Sequence, residues 1–235
     1  MRKFLLFILL PLLAVAGALA FYFLYYNPSA GSQRTLMVIK FIRRPQEHQH
    51  WSTPAGQRCP GAPFSFPTSG FIGYLWNDTF KAGHRHEGID IFAGTEPGVT
   101  PVYAAYDGYL TREPGWKSTV IIRIPSDPLR PSTQVWTYYT HLADKDGNDL
   151  ISNDFPPGTS EIFVKQGTLL GYQGNFSGTA GNPVGAHLHF SIVKDDGSGK
   201  YTNEYEIQNT LDPSPYFGLS LNASDDPVLP LTCGE

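Results

Sequence analysis

The segment HLHFSIV, residues 187–193, is the stretch that most directly indicates the fold of this chain. It is short and rich in β-branched and aromatic residues, which favours a β-strand. Side chains at positions i and i+2 of a strand point to one face, so His187 and His189 should share a face while Leu188 turns to the core. Two imidazoles side by side are unfavourable unless a metal or a proton-transfer step uses them. The segment therefore predicts a strand that carries part of a functional site.

Two further segments carry residues of the same kinds. HEGID, residues 86–90, ends on a carboxylate between two isoleucines, and a buried carboxylate needs a cation or hydrogen-bond donors. YYTHL, residues 138–142, contributes another histidine. A catalytic zinc site uses three histidine or carboxylate ligands, an open position and a nearby base. The segments supply enough groups for a hydrolytic zinc enzyme, namely His86, Asp90, His141, His187 and His189.

The three remaining histidines leave alternatives open. His84 lies two residues before His86, so it either replaces His86 as a ligand or contacts a ligand or the substrate. His48 and His50 occur in EHQH, whose spacing permits a metal site, but the surrounding proline-rich polar sequence favours a solvated linker. The sequence contains no HExxH, no GxSxG and no phosphate-binding glycine loop.

The composition favours a β protein. The chain has 24 glycines and 20 prolines, with 14% aromatic and 16% charged residues, which suits short strands joined by tight turns. The net charge of −4 and the lack of a long basic run argue against a nucleic-acid partner. No convincing amphipathic helix is seen. Strands are predicted at 71–75, 88–92, 102–105, 109–110, 120–124, 135–140, 162–164, 169–172 and 187–193.

The first 26 residues predict a membrane-targeting segment. An apolar run over residues 4–26 follows a basic start, and as a helix it would span about 34 Å, enough for a hydrocarbon core of about 30 Å. Ala18-Leu19-Ala20 resembles a signal-peptidase site, so the segment is either an anchor or a signal cleaved after Ala20. We favour a single-pass anchor, because aromatic residues continue the run to Tyr26, and we place the domain outside the cytoplasm.

The rest of the chain divides by composition. Residues 27–60 read as a linker, in which 36–39 fits a short strand, and 223–235 read as an irregular tail. Residues 143–158 form a long polar loop, and loops of this length tend to be functional or mobile. Outside the cytosol, Cys59 and Cys233 either pair as a disulfide or stay as free thiols.

From about residue 67 to 216, the sequence resembles the lysostaphin/LytM-type (β-lytic) zinc metallopeptidases. The segments HEGIDI, GTEPGVTPVYAAYDGYL, YYTHL, VKQGTLLGYQGNFSG, GAHLHF and LDPSPYF follow the order and spacing of that family. The resemblance implies that residues 61–222 form a mainly antiparallel, sandwich-like β domain of the duplicated hybrid motif type. It also implies one zinc ion per chain and endopeptidase action on peptidoglycan stem peptides or cross-bridges.

The resemblance assigns a role to each site residue. His86, Asp90 and His189 match the zinc ligands, and His141 and His187 match the two histidines that handle protons. Which of the two is the base stays open, as do the scissile bond and the oligomeric state. The 143–158 loop is longer than the family pattern, which leaves the substrate open. The competing interpretations are a non-hydrolytic envelope module with a structural zinc, and a secreted protease that acts on glycine-rich proteins.

Overall fold

The structure is a computed structural model that describes residues 2–21, 30–79 and 83–233. Within these residues the helices are α1 (Arg2–Phe21), α2 (Ala30–Arg43) and α3 (Ser214–Phe217). The strands are β1 (Phe71–Tyr74), β2 (Ile89–Phe92), β3 (Pro101–Tyr103), β4 (Gly108–Thr111), β5 (Val120–Ile124), β6 (Val135–Thr140), β7 (Ile162–Val164), β8 (Leu169–Tyr172), β9 (Leu188–Lys194) and β10 (Thr210–Leu211).

The strands form one large and one small antiparallel sheet. The large sheet has the order β1-β2-β9-β6-β5-β4-β7, with β10 also paired to β9, and the small sheet joins β3 to β8. The prediction of a mainly β, antiparallel domain is confirmed. Apolar side chains of both sheets share one buried core, in which Val102, Leu170, Leu188 and Phe190 are inaccessible to solvent. This core holds the strands that carry the site residues.

The strand register brings the site residues together. Asp90 of β2 lies opposite His189 of β9, and His189 lies opposite Thr140 of β6. His141 directly follows β6, so it lies at the same end of the sheet. The three central strands β2, β9 and β6 therefore converge on one end with the polar residues of the site.

The nine predicted strands are present, four with the predicted ends and five with ends that differ by one or two residues. His187 lies just before β9, in an isolated bridge with Gly174, rather than inside the strand. The strand β10 and the short helix α3 were not predicted. β10 has only two residues, too few to produce a period in the sequence.

The short strand expected at residues 36–39 is wrong, because these residues lie within α2. Arg34, Val38 and Phe41 are buried and are spaced at i, i+4 and i+7, the period of a helix that packs by one face. The sequence predicts a linker over residues 27–60, of which 27–29 lie outside the described residues, yet α2 and Trp51 in this stretch pack against β1. The domain boundaries at 27, 61 and 223 stay predictions.

The helix α1 covers most of the predicted anchor. Among residues 2–21, 30–79 and 83–233, no helix is long and apolar enough to cross a membrane. Residues 22–26 of the predicted anchor lie outside the described residues.

The 143–158 loop is tied to the domain at several points. Ala143 bridges to Asp149 and Ile151 to Gly171, and the side chains of Ile151 and Phe155 are buried. The loop is thus packed onto the sheet edge.

A disulfide joins the segment before the first strand to the C-terminal tail. Cys59 and Cys233 form a disulfide with their Cα atoms 5.1 Å apart, as the sequence allowed. The tail contributes Leu231 to the core, and apart from one 3₁₀ turn at Ala223–Asp225 its described residues are irregular, as expected.

Candidate metal centre

Three side chains form a compact triangle of ligand atoms. His86 Nε2 lies 3.1 Å from Asp90 Oδ1 and 3.0 Å from His189 Nδ1, and Asp90 Oδ1 lies 2.9 Å from His189 Nδ1. A tetrahedral zinc ion bonded at about 2.0–2.1 Å separates its ligand atoms by about 3.3 Å. The triangle therefore has nearly the edge length that such an ion requires. Two imidazoles and one carboxylate are also a ligand set that zinc accepts.

Backbone contacts orient the first of these ligands. His86 precedes β2, and its Nδ1 donates to the carbonyl of Leu75 at 2.9 Å, which leaves Nε2 for a metal. Its backbone is held as well, since His86 N donates to Asp78 O at 2.9 Å and His86 O accepts from Asn77 N at 2.7 Å. The residue is therefore fixed even though it lies outside a strand.

Gly88 lets the two ligand-bearing strands approach each other. A Cβ atom at this position would lie 2.1 Å from the carbonyl oxygen of Phe190 and 3.0 Å from Nε2 of His189. No side chain fits into that space. The glycine in HEGID is thus required by close packing of β2 on β9, rather than by a turn between the ligands.

Two further imidazoles lie beside the triangle. The ring centroids of His141 and His187 are 4.4 Å apart, and His187 Nε2 lies 3.6 Å from Asp90 Oδ1. His141 Nδ1 donates to Phe176 O and His187 Nδ1 donates to Gly185 O, each at 2.6 Å. A ring that donates through Nδ1 keeps Nε2 as a proton acceptor when it is neutral. The structure thus brings all five predicted site residues into one place.

The backbone of His141 is unusual. Its φ of 70° lies in the left-handed region, which residues other than glycine seldom adopt. Such conformations occur where the surrounding structure fixes them, often at functional sites. Here the conformation turns the chain sharply at the end of β6, next to the triangle.

Burial and charge set the protonation of the site. Burial lowers the pKa of His187 and of His189 to about 4 and lowers the pKa of His141. Burial alone would raise the pKa of Asp90, but His86 and His187 hold that pKa well below its usual range. Burial alone would lower the pKa of His86, but the charge of Asp90 and its hydrogen bond raise it, so a metal ion at His86 Nε2 competes with a proton. The lowered pKa values favour a charged Asp90 and neutral rings at His141, His187 and His189 near neutral pH.

His84 does not belong to the triangle. It is about one-third exposed, and its Nδ1 lies 3.5 Å from Oε1 of Glu87. The structure therefore brings His86 rather than His84 to Asp90 and His189. Glu87 was not singled out in the sequence. Burial raises the pKa of its carboxyl group.

The five residues open into a cleft of about 500 Å³. Other parts of the chain that line it include Ile42, Tyr74, Phe92, Thr119, Phe176 and Tyr205. Among the residues that the structure describes, no lysine or arginine lines this cleft. The contribution of α2 could not be found in the sequence, because residues 27–60 carry no motif.

No protein-family model and no curated protein sequence matches this chain. Among solved structures, it is similar to the catalytic domain of the antimicrobial peptidase lysostaphin from Staphylococcus simulans, with 19% identity over 65% of this chain and 92% of that chain, at a TM-score of 0.38. Csd3 from Helicobacter pylori matches with 19% identity over 67% of this chain and 33% of that chain, at a TM-score of 0.40.

A zinc-containing peptidase from Vibrio cholerae matches with 18% identity over 64% of this chain and 40% of that chain, at a TM-score of 0.33. A lysostaphin catalytic domain is thus among the solved structures to which this chain is similar. Each of these TM-scores is below 0.5, so we infer function from the residues of the site itself.

Proposed function

We propose that this chain is a zinc-dependent metalloendopeptidase that hydrolyses peptide bonds in peptidoglycan stem peptides or cross-bridges. The observation that carries the proposal is the ligand triangle of His86, Asp90 and His189 with two further imidazoles beside it. A structural zinc site is usually closed by four protein ligands and needs no spare base. Three ligands with adjacent proton acceptors fit catalysis better than a scaffold role.

In this proposal, His86, Asp90 and His189 hold one zinc ion. A zinc ion bound there supplies a water molecule with a lowered pKa and polarises the scissile carbonyl group. The hydrogen bond from His86 Nδ1 to the carbonyl of Leu75 keeps the first ligand in place. The cleft beside them admits the peptide.

His141 and His187 move the protons. Each ring is anchored through Nδ1 on a backbone carbonyl, so Nε2 is the atom that accepts and returns a proton. One ring takes the proton from the attacking water at Nε2 and, once protonated, can donate a hydrogen bond to the developing oxyanion before it delivers the proton to the leaving amine, while the other ring is a second proton acceptor beside it. Which ring takes which part is a matter for kinetics.

The substrate and location follow from the motif resemblance and from the disulfide. A link between Cys59 and Cys233 persists in an oxidising compartment, which supports action outside the cytoplasm, where peptidoglycan lies. The membrane anchor over residues 1–26 stays a prediction from the sequence. The alternative of a secreted form cleaved after Ala20 stays open with it.

The first test compares the zinc content and the turnover of three alanine variants of the full chain. Bound zinc is measured by elemental analysis. His141→Ala should keep one zinc per chain and lose about 10²–10⁴-fold in turnover, because it removes a proton acceptor. His86→Ala should lose both zinc and turnover. His50→Ala is the matched control, since this exposed histidine lies away from the cleft. Turnover is followed on purified sacculi, with new amino termini identified by mass spectrometry.

Two results would count against the proposal. If His86→Ala still binds one zinc and cleaves normally, the ligand assignment is wrong. If the zinc-loaded wild-type protein is folded but leaves the muropeptides of the sacculi unchanged, the non-hydrolytic envelope module becomes the better interpretation.

A further inference from the structure

The helix α2 is fixed to the sheet beside the candidate site. Arg34 Nε donates to Asp78 Oδ2 at 2.6 Å and Arg34 Nη2 to Asp78 Oδ1 at 3.0 Å, and both side chains are buried. Phe41 packs on Phe71 of β1 with ring centroids 5.4 Å apart. The helix is therefore a rigid part of the domain.

A glycine in β1 lets the helix lie close to the strand. A Cβ atom at Gly73 would be 2.4 Å from Cγ2 of Val38 and 2.9 Å from the ring of Phe92. The missing side chain allows Val38 to reach into the space beside β2. Val38 is consequently buried and borders the cleft.

One turn further along α2, Ile42 lines the same cleft but is exposed. Its side chain is 42% accessible, and a Cβ atom built on Gly185, two residues before His187, would lie 3.5 Å from its Cδ1 atom. Phe92 continues the apolar surface to the site, since its ring stacks on His187 with centroids 4.9 Å apart. We call the side chains of Val38, Ile42 and Phe92 the α2 wall.

We infer that Ile42, the exposed member of the α2 wall, contacts an aliphatic side chain of the substrate residue next to the scissile bond and is the specificity-determining residue, while the buried Val38 and Phe92 pack behind it. The inference rests on the proposed function. The wall is apolar and continuous with His187, so a side chain that touches it belongs to a residue close to the reacting carbonyl. An exposed isoleucine gains by covering its surface with another aliphatic group, and a charged or amide side chain would lose its hydration there.

The test uses synthetic pentaglycine and five related peptides in which leucine replaces one glycine at a time. The zinc-loaded wild-type protein should prefer leucine at one position. Ile42→Ser should lower the ratio of kcat/KM for that leucine peptide to kcat/KM for pentaglycine by at least about tenfold, because the pocket loses aliphatic contacts. Ile42→Val should keep most of the ratio.

Ile39→Ser is the matched control. Ile39 is 39% exposed on the same helix but does not line the cleft, so its substitution should leave the leucine-to-glycine ratio at the wild-type value. A second measurement avoids turnover. In the zinc-loaded His141→Ala background, calorimetry should show that Ile42→Ser weakens binding of the preferred leucine peptide by about tenfold.

The outcomes separate the two proposals. The inference is overturned if the peptides are cleaved with no preference for leucine. It is also overturned if Ile42→Ser leaves the leucine preference intact, or if Ile39→Ser lowers it equally. In each case the proposed function still stands. A folded, zinc-loaded wild-type protein that cleaves none of the peptides and none of the sacculi overturns the proposed function, and the inference with it.

Discussion

At the scale of single residues, the site depends on the missing side chain of a glycine as well as on the side chains that could bind a metal. Gly88 separates His86 from Asp90, and the space where its Cβ would stand is filled by the backbone of Phe190. His141 takes a left-handed backbone conformation, and Phe176 holds its ring. The spacing of ligands and bases is therefore set by backbone packing around them.

The first residue-scale prediction concerns Gly88→Ala. The added methyl group must push β2 away from β9, so we expect a loss of about 1–3 kcal/mol in the free energy of unfolding. Because Asp90 and His189 move apart with the strands, zinc affinity should fall by at least about tenfold. Urea unfolding and competition with a zinc chelator measure the two effects.

Gly115→Ala is the control for this substitution. A Cβ atom at Gly115 has nothing within 4 Å, so this variant should bind zinc like the wild type. Equal zinc affinity in the Gly88 and Gly115 variants would show that β2 tolerates the methyl group and that the packing explanation is incorrect.

The second residue-scale prediction concerns pH. Burial lowers the pKa of His141 below the ordinary histidine value of about 6.5, so the ring stays neutral and able to accept a proton in more acidic solution. If His141 is the base, the acid limb of the kcat profile should have its midpoint below pH 6.5. Bound zinc is measured at each pH, because protons compete for the ligands. A midpoint above 6.5 at full zinc content would contradict a base whose pKa is lowered by burial, as expected for His141.

At the scale of elements, α2 is joined to the sheet by one buried ion pair and an apolar contact. The guanidinium of Arg34 reaches Asp78, which is 44 residues away in the chain and has no solvent access. Asp78 also accepts from Thr79 N at 2.8 Å. Because Val38 and Ile42 lie on the same helix, this attachment sets the position of one side of the cleft.

Arg34→Ala tests that attachment. Removing the cation leaves the buried carboxylate of Asp78 without its partner, which typically costs about 3–5 kcal/mol in the free energy of unfolding. The matched control is Arg44→Ala, since the Arg44–Glu47 pair is 70% and 61% exposed and its loss should change stability by no more than about 0.5 kcal/mol. Urea denaturation measures both. Equal stabilities of the two variants would mean that α2 is held by its apolar contacts alone.

At the scale of the whole molecule, the large sheet and one disulfide determine how distant segments meet. The strand order places β9 between β2 and β6, although β6 is about 50 residues earlier in the chain and β2 about 100. The disulfide joins Cys59 to Cys233 across 174 residues and so closes a loop around the whole sheet. Neither cysteine lines the cleft.

Replacing both cysteines by serine tests the disulfide. The chain-entropy model gives about 5 kcal/mol for a loop of this length, and measured losses are typically 2–5 kcal/mol. We expect the double variant to unfold at lower urea concentration but to keep its zinc, because the cleft is unchanged. A reductant should destabilise the wild type to the same extent and leave the variant unaffected. Unchanged unfolding of the variant would contradict this expectation.

The sequence by itself predicted nine strands and the five residues that the structure brings to one cleft. Short β-branched and aromatic runs bounded by glycine, proline and aspartate predicted nine strands, because that composition suits a half-buried pleated surface. The i and i+2 spacing of His187 and His189 predicted a shared face. The first inference depends on local composition and the second on a local period, and the sequence records both directly.

Only the tertiary structure decided the position of α2, the triangle of ligand atoms and the walls of the cleft. The face of α2 that packs on the domain includes Arg34. From the sequence alone a charged residue is expected to face solvent, because its partner Asp78 lies far along the chain. Similarly, the need for Gly88 becomes visible only when β9 lies against it. These features arise from contacts between segments distant in sequence, and no local pattern of residue types records such contacts.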